Sequence, residues 1–573
     1  MKQARGLLIC LVVLAAICAV AQGTTYEVGP GKPLAAIGEV PWESLTAGDT
    51  VLIYWRDTPY KEKFLITGVG TPSQPITVSG VPGPGGELPV LDGQDATTRL
   101  ALSTGSEARG LITMQQGDAG TIPTTCVPEY IIIENLEIMN SSTPYTFTDD
   151  SGAIQSYVDS SAAIWSVSGK HVTVRNCYFH DCGNGLFTYS LDDGAECWTE
   201  DWLAEGNYMT ACGNLGSITE HDSYCESYKI IYQYNRYGPT RSTIDSRLGG
   251  ALKDRSAGMV ARYNWFEGGN RGLDLVDSED STTLAADPLY RETFVYGNVI
   301  IEIVDGGNSQ MLHYGGDSGN TTGYRKGWLY LYNNTFVTYK DATAVMRMST
   351  NDESTDCRNN IIYAINADGD SVSWLDTEGN LYLSHCWYKP GIKDCYFGIL
   401  KGTITDDGTS ITGSSPGFVD EGVQDFALAT GSQCIDAGGT LNAAVLPDND
   451  LLMQYVLHQD GETRPDDGIL DIGAFEFAGG GAPADLVITT TSLPSVKRSK
   501  SYSATLSASG GVMPYTWSIV SGSLPPGLSL NPATGVISGT APSTKGTWNF
   551  TVQVEDSQTP ADTDAKALSI TVT

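Results

Sequence analysis

The chain has 573 residues, too many for one small domain of about 100–200 residues. Hydrophobic residues make up 41% of it, enough to bury a large core, which excludes global disorder. Lys+Arg 33 against Asp+Glu 67 leaves a formal net charge of −34, so a generic nucleic-acid or anionic-membrane binder is excluded.

Lys2 and Arg5 precede an apolar run from Leu7 to Ala21 that ends in Ala19-Val20-Ala21. This is the layout of a secretory leader, and the run is too short to span a bilayer. Removal of residues 1–21 is expected, giving a secreted, extracellular protein with no membrane span; the cell surface is the other possible location.

The next stretch, Tyr26 to Asp92, reads as the capped start of a coil stack, with WESLTAGDTVLIYW, TPSQPITVSG and PVLDG as its strands. Then a repeat sets in. Short β-branched and aromatic runs each lead into an Asn followed by an apolar residue. The asparagines are Asn135, Asn176, Asn207, Asn235, Asn264, Asn298, Asn334, Asn360 and Asn380, spaced 20 to 41 residues apart. Each unit has one clear strand signal and no helical period, too few strands for a propeller blade. The fold class predicted is all-β: a right-handed parallel β-helix over 22–477, with the nine asparagines in one vertical stack. Asn suits the tight bend of each coil because it tolerates the left-handed backbone. Residues 415–477 read as the closing turns.

A linker at 478–484 follows, Gly-rich at Gly479-Gly480-Gly481, and then a separate unit over 485–573. Its alternating runs SYSATLSA, YTWSIV, GVISGT, WNFTVQVED and LSITVT predict a small β-sandwich. The stretch LPPGLSLNPATGVISGTAPSTKGTWNFTVQVED resembles the immunoglobulin-like, cadherin-related modules of secreted bacterial proteins, which implies a spacer or a binder.

Removing residues 1–21 leaves ten cysteines. Cys197 and Cys225 each lie ten residues before a repeat Asn, and Cys182 and Cys212 occupy matching places after one. Matched positions on adjacent coils come within disulfide range. The pairs Cys197–Cys225 and Cys182–Cys212 are therefore expected, with a Cys386–Cys395 loop as a third. The other reading is that these thiols stack inward as small apolar groups.

One stretch departs from the overall charge. Residues 236–271 hold seven basic residues against three acidic ones, a local balance of +4. A basic strip in mid-solenoid would focus an anionic ligand, and the arginine fork suits carboxylates and sulfates. Arg241, Arg247 and Arg262 are the candidate substrate-binding residues. Asp274, Asp277, Glu279 and Asp280 in LDLVDSED form the densest acidic cluster. They are candidate Ca²⁺ ligands, or else the acid and base of a glycosidase. HYGGDSG, His313 to Gly319, is a turn-rich loop with the same ambiguity.

The run GGALKDRSAGMVARYNWFEGGNRGLDLVDSED, with RETFVYGN, HYGGDSG and YRKGWLYLYNNTF after it, resembles secreted bacterial pectate-lyase-like β-helix proteins that degrade polysaccharides. The pattern K-x-x-S-x-G…RYN-x-F is similar to the alginate lyase and chondroitinase B type of lyases. The resemblance implies a Lys base, an assisting Arg and a Ca²⁺. Aligned through Ser256-Ala257-Gly258, the family's Lys falls on Arg255; aligned through Arg262-Tyr263-Asn264, its Arg falls on Val276. Lys253 and Arg271 are the candidates to fill those roles from nearby positions.

The chemistry then reads as follows. Lys253 is the base at C5 of a uronate, and Arg255 and Arg271 bind its carboxylate and the charge that grows on it. Tyr263 or His221 donates a proton to the leaving oxygen. The function expected is a polysaccharide lyase acting on an acidic polysaccharide by β-elimination, as a monomer. Two other readings stay open: a glycoside hydrolase using carboxylates within 274–280, and a non-enzymatic glycan-binding or cell-surface structural protein.

Overall fold

The computed structural model describes residues 23–100, 102, 106–115, 128–192, 198–240, 249–366, 368–465, 468–478, 486–510, 514–556 and 561–573. The leader, Cys197, Arg241, Arg247 and the linker from Gly479 onward lie outside the described residues.

The chain coils into three long sheets of 13, 11 and 14 strands. In the 13-stranded first sheet every pairing is parallel and joins one coil to the next, as where Gly169–Arg175 pairs with Thr199–Glu205 and that strand with Tyr228–Gln233. Alternation decides which side chains enter. Val172, Trp202, Ile230 and Met259 stand in register and are buried in the core, while Thr173, Arg175 and Glu205, an odd number of residues further on, face the other way. This is the parallel β-helix expected, and its interior is one continuous hydrophobic cluster from Val28 to Cys386.

The asparagine ladder is shorter than the nine-membered stack predicted. Asn207, Asn235, Asn264, Asn298, Asn334 and Asn360 are all fully buried. Each accepts the backbone N–H of the ladder residue one coil earlier, at 2.9–3.0 Å. Each is preceded by a residue at positive φ: Gly206, Tyr234, Tyr263, Gly297, Asn333 and Asn359, at 51–65°. The bend thus needs one left-handed residue and then one buried amide. Asn135 and Asn176 occupy the left-handed place instead, at φ 58° and 53°, so Leu136 and Cys177 fill the ladder site on their coils. Asn380 opens the strand Asn380–Ser384, and Cys386 takes the ladder site there.

Residues 415–477 are not further turns of the coil. They double back over the outside of the second sheet. Phe418, Phe426, Tyr455 and Ile472 cover its outer row of Trp265, Val299, Ile361 and Trp387. Hydrogen bonds fix the return: Gln459 Nε2 to Gly206 O at 3.0 Å, Asn333 Nδ2 to Asp471 O at 2.8 Å, and Ala474 N to Thr335 Oγ1 at 3.0 Å. Each large apolar side chain buried this way contributes about 1.5–3 kcal/mol before chain entropy is counted. The second sheet is thereby closed to ligands over these coils.

Residues 486–572 have a core of their own, built on Trp517, Tyr502, Phe550 and Ile570 between small antiparallel sheets. This is the β-sandwich predicted.

The disulfides expected are absent among the described residues. Cys182, Cys212, Cys225, Cys386 and Cys395 are free thiols. Cys182 and Cys212 face the solenoid core, where they serve as small apolar groups, and burial pushes the Cys225 thiol up to about 12. The neighbour of Cys386 is Cys357, Sγ to Sγ 3.8 Å, rather than Cys395, whose thiol lies against the carbonyls of Phe397 and Gly398. That separation is nearly twice the roughly 2.05 Å of a disulfide bond.

Candidate active site

The third sheet carries the site on short strands. Ser223–Cys225, Leu252–Asp254 and Leu273–Leu275 are three residues each, and Gln310–Tyr314 and Thr343–Met348 continue the stack. Leu252, Leu273 and Leu275 turn inward, which forces the residue between them outward. The outward row, in register from coil to coil, is Phe187, Tyr224, Lys253, Asp274, His313 and Arg347. Two aromatic residues therefore give way to four polar ones at the middle of the solenoid.

A cleft of about 480 Å³ opens over this row. His221, Lys253, Arg255, Arg271, Asp274 and Glu279, six of the residues singled out from sequence, line it. Asp317 and Arg347 line it as well.

Ion pairs organise the floor. Lys253 Nζ lies 2.6 Å from Asp317 Oδ2 and 3.8 Å from Asp274 Oδ2. Those two contacts together bound the separation of the carboxylate oxygens at 6.4 Å. Arg271 donates to Asp274 Oδ1 at 2.7 Å and to Gln310 Oε1 at 3.2 Å. His313 sits behind, with Nδ1 2.8 Å from Asp274 Oδ1 and Nε2 2.8 Å from Ser349 Oγ. Burial alone would raise the Asp274 carboxyl. The hydrogen bond from His313 and the charges of Arg271 and Lys253 overcome that and hold it well below the usual range. Asp317 is lowered too: burial opposes this, but Arg255 and Lys253 outweigh it. Both carboxylates are thus kept ionised.

Arg255 is fixed on all sides. It reaches Tyr224 Oη at 2.9 Å, Asp317 Oδ1 at 3.0 Å and Glu279 Oε1 at 3.2 Å, and it donates to the Asp277 carbonyl. Behind the strand, the fully buried Arg325 binds Asp254 Oδ1 at 3.1 Å and the carbonyls of Asp254, Ser256 and Val276 at 2.9–3.0 Å. It ties together the backbones that present Lys253 and Arg255.

Three donors in or beside the cleft are uncommitted. His221 is buried, and desolvation, with the charge of Lys253, drives its imidazole down to about 3. Its Nδ1 accepts the Gly250 N–H at 2.9 Å, which puts the ring proton on Nε2, and Nε2 has no partner among the described residues. Arg271 Nε likewise has none. Arg347 lines the cleft and makes no hydrogen bond or close ion pair among the described residues, although its charge acts on the half-buried Asp376 carboxyl and on His313.

Other candidates fall elsewhere. Tyr263 is on the far side of the coil, its hydroxyl 3.2–3.4 Å from the backbone of residues 450–453, so it cannot reach the cleft. Arg262 stands on the first sheet, bonded to Gln233 at 2.8 Å and Tyr296 at 3.1 Å. Asp280 is exposed and lines no part of the cleft.

The Ca²⁺ set also changes. Asp277 and Glu279 gather with Asp317, carboxylate oxygens within 4.8 Å, while Asp274 is engaged by Arg271 and His313. A divalent cation does not fit this trio as it stands. Asp277 already accepts the N–H groups of Asp317 and Ser318 and the Ser318 hydroxyl, and the Arg255 guanidinium supplies the positive charge. Sequence reasoning missed Arg325 and Arg347, and it flagged His313 and Asp317 only as parts of one ambiguous loop, HYGGDSG. Nothing local marked Arg347, whose place comes from register alone.

Residues 484–573 match the family described as "Putative Ig domain". No curated protein matches the chain. Among solved structures, a Bacteroides fragilis protein described as a putative alpha-galactosidase/melibiase matches 16% of this chain at 24% identity and a TM-score of 0.14; this chain spans 18% of that one. The GH136 lacto-N-biosidase of Eubacterium ramulus is 12% identical over 67% of this chain and 68% of its own, TM-score 0.33. A mannuronic acid specific polysaccharide family 6 lyase from human gut microbiota is 12% identical over 64% of this chain and 88% of its own, TM-score 0.32. At TM-scores this low, none of them informs the site.

Proposed function

We propose that this protein is a secreted carbohydrate-active enzyme, and that the third-sheet cleft cleaves an acidic, uronate-containing polysaccharide by β-elimination. One observation carries the reading. Uncommitted donors from His221, Arg271 and Arg347 surround Lys253, while the carboxylates of the cleft are already neutralised by fixed cations. A site so arranged receives an anion.

Arg347 and Arg271 bind the uronate carboxylate and stabilise the charge that builds on it as the C5 proton leaves. Lys253 is the base. It acts as the free amine, its ammonium proton having gone to solvent, while Asp317, 2.6 Å away, stays ionised and orients the amine by accepting one of its N–H bonds. The amine takes the C5 proton, the C4=C5 double bond forms, the C4–O bond breaks, and the new ammonium returns the proton to the leaving oxygen. The Nε2–H of His221, on a ring that stays neutral, hydrogen-bonds that oxygen. Asp274 and Asp317, both held ionised, make poor general acids, which weighs against hydrolysis by this pair. No step is routed through a metal.

The test is turnover of alginate, pectate, glycosaminoglycans and bacterial exopolysaccharides, read as ultraviolet absorbance from unsaturated uronate ends. Lys253→Ala should lower the rate by about 10²–10⁴-fold. Arg347→Ala should chiefly raise KM. Full activity of Lys253→Ala would show that another residue is the base.

A further inference from the structure

The first sheet carries a second cleft, and none of its residues lines the first. Trp328 and Tyr382 stand on its outer face, 39% and 40% exposed, with ring centroids 5.4 Å apart. Their register neighbours explain the exposure. Ser354 and Asn380 follow Trp328 on the next coils, and Thr405 follows Tyr382, all too small or too polar to cover a ring. Exposed single apolar residues are ordinary, but two adjacent rings beside a cleft are not. The space is about 480 Å³, inside the roughly 300–1,000 Å³ of small-ligand sites.

Its polar wall is built and rigid. Arg358 forks the Asp356 carboxylate at 2.8 and 2.7 Å and donates to the Thr440 carbonyl at 2.8 Å. Asn442, from the returning segment, also donates to Asp356. His385 Nδ1 lies 2.8 Å from Ser384 Oγ and 3.0 Å from Thr409 Oγ1. Trp328 Nε1 and Tyr382 Oη have no partner among the described residues, so each can still bond a ligand. The charge logic differs from that of the first cleft. Arg358 is spent on Asp356, and Asp407 adds a further carboxylate to the lining, so a polyanion is not attracted.

We propose that this cleft binds a neutral pyranose chain. Its C–H faces would pack on Trp328 and Tyr382, and its hydroxyls would meet the Asp356–Arg358–Asn442 wall. The site would hold a polysaccharide at a point remote from cleavage, on a neutral stretch or a neutral partner polymer of the acidic substrate.

The experiment probes the full chain on a printed array of neutral β-glucan, galactan, xylan and mannan oligosaccharides, with polyuronates alongside. Wild type, Lys253→Ala, Trp328→Ala and Tyr382→Ser are compared. Wild type and Lys253→Ala should bind the same neutral glycans equally, whatever becomes of the elimination mechanism. Trp328→Ala and Tyr382→Ser should each weaken that binding about tenfold, equivalent to 1.4 kcal/mol. Both substitutions are at exposed side chains, so thermal melting should stay with wild type; a variant that melts early is replaced by Trp328→Phe or Tyr382→Phe, which keep the apolar ring but not its polar atom. Binding confined to polyuronates, no binding at all, or neutral-glycan binding indifferent to both residues overturns the proposal.

Discussion

Asn264→Ala tests what the ladder is worth. The Asn264 amide makes five contacts at 2.9–3.0 Å: Oδ1 accepts from Asn235 N and Nδ2, and Nδ2 donates to Tyr232 O, Arg262 O and Asn298 Oδ1. After truncation some partners survive. Asn235 Nδ2 keeps Ala204 O at 2.8 Å, and Asn298 Oδ1 keeps the backbone N–H of residue 264. The Asn235 backbone N–H does not; it is left buried without an acceptor. That orphan costs about 1–3 kcal/mol, and the lost donor bonds about 1 kcal/mol more. The expected loss is therefore on the order of 2–4 kcal/mol, read by urea unfolding followed with far-UV circular dichroism. Asn176→Gly is the control. It lies at φ 53°, outside the ladder, where glycine fits without strain, so it should shift stability by no more than about 0.5 kcal/mol. If Asn264→Ala falls in the same narrow range, the buried amides do not hold the coils in register.

Three further outcomes follow from buried groups. Burial pushes the Glu226 carboxyl up to about 8, so the folded state keeps a proton that the unfolded chain loses near 4.5; stability should fall as pH rises between those values, and Glu226→Gln should remove a slope worth on the order of a few kcal/mol, measured by thermal melting from pH 4 to 9. His221→Ala should lower kcat by roughly 10²–10³-fold, and the wild-type rate should show no His221 inflection between pH 5 and 8, because its imidazole titrates at about 3. Alkylation in denaturant without reductant, followed by peptide mapping, should label Cys182, Cys212, Cys357 and Cys386 as free thiols; a crosslink at Cys182–Cys212 would restore the pairing expected from the repeat.

The solenoid was legible because its signal is repeated. Strand, bend and buried amide recur coil after coil, and six asparagines survive as the ladder. The one-residue slip at Asn135 and Asn176 was invisible, since Asn suits both the left-handed position and the buried one. The cleft was half legible. Lys253, Arg255, Arg271 and Asp274 lie within 22 residues of each other; the charge reversal marked the three cations and the acidic cluster marked Asp274. Arg347 and Asp317 arrive from later coils, and only register aligns them with Lys253. Tyr263 misled because RYN looks like a catalytic motif, whereas here its tyrosine takes the left-handed bend and anchors the return of residues 450–453. That return had no sequence signal: a segment that folds back over a sheet alternates much as a further coil would.

The central claim is the bond-breaking step, and digestion in H₂¹⁸O tests it most directly. Elimination splits the glycosidic bond without water, so mass spectrometry of the products should show unsaturated uronate ends and no solvent ¹⁸O. Saturated products carrying one ¹⁸O per cleavage would contradict the account and assign the cleft to hydrolysis by its carboxylates.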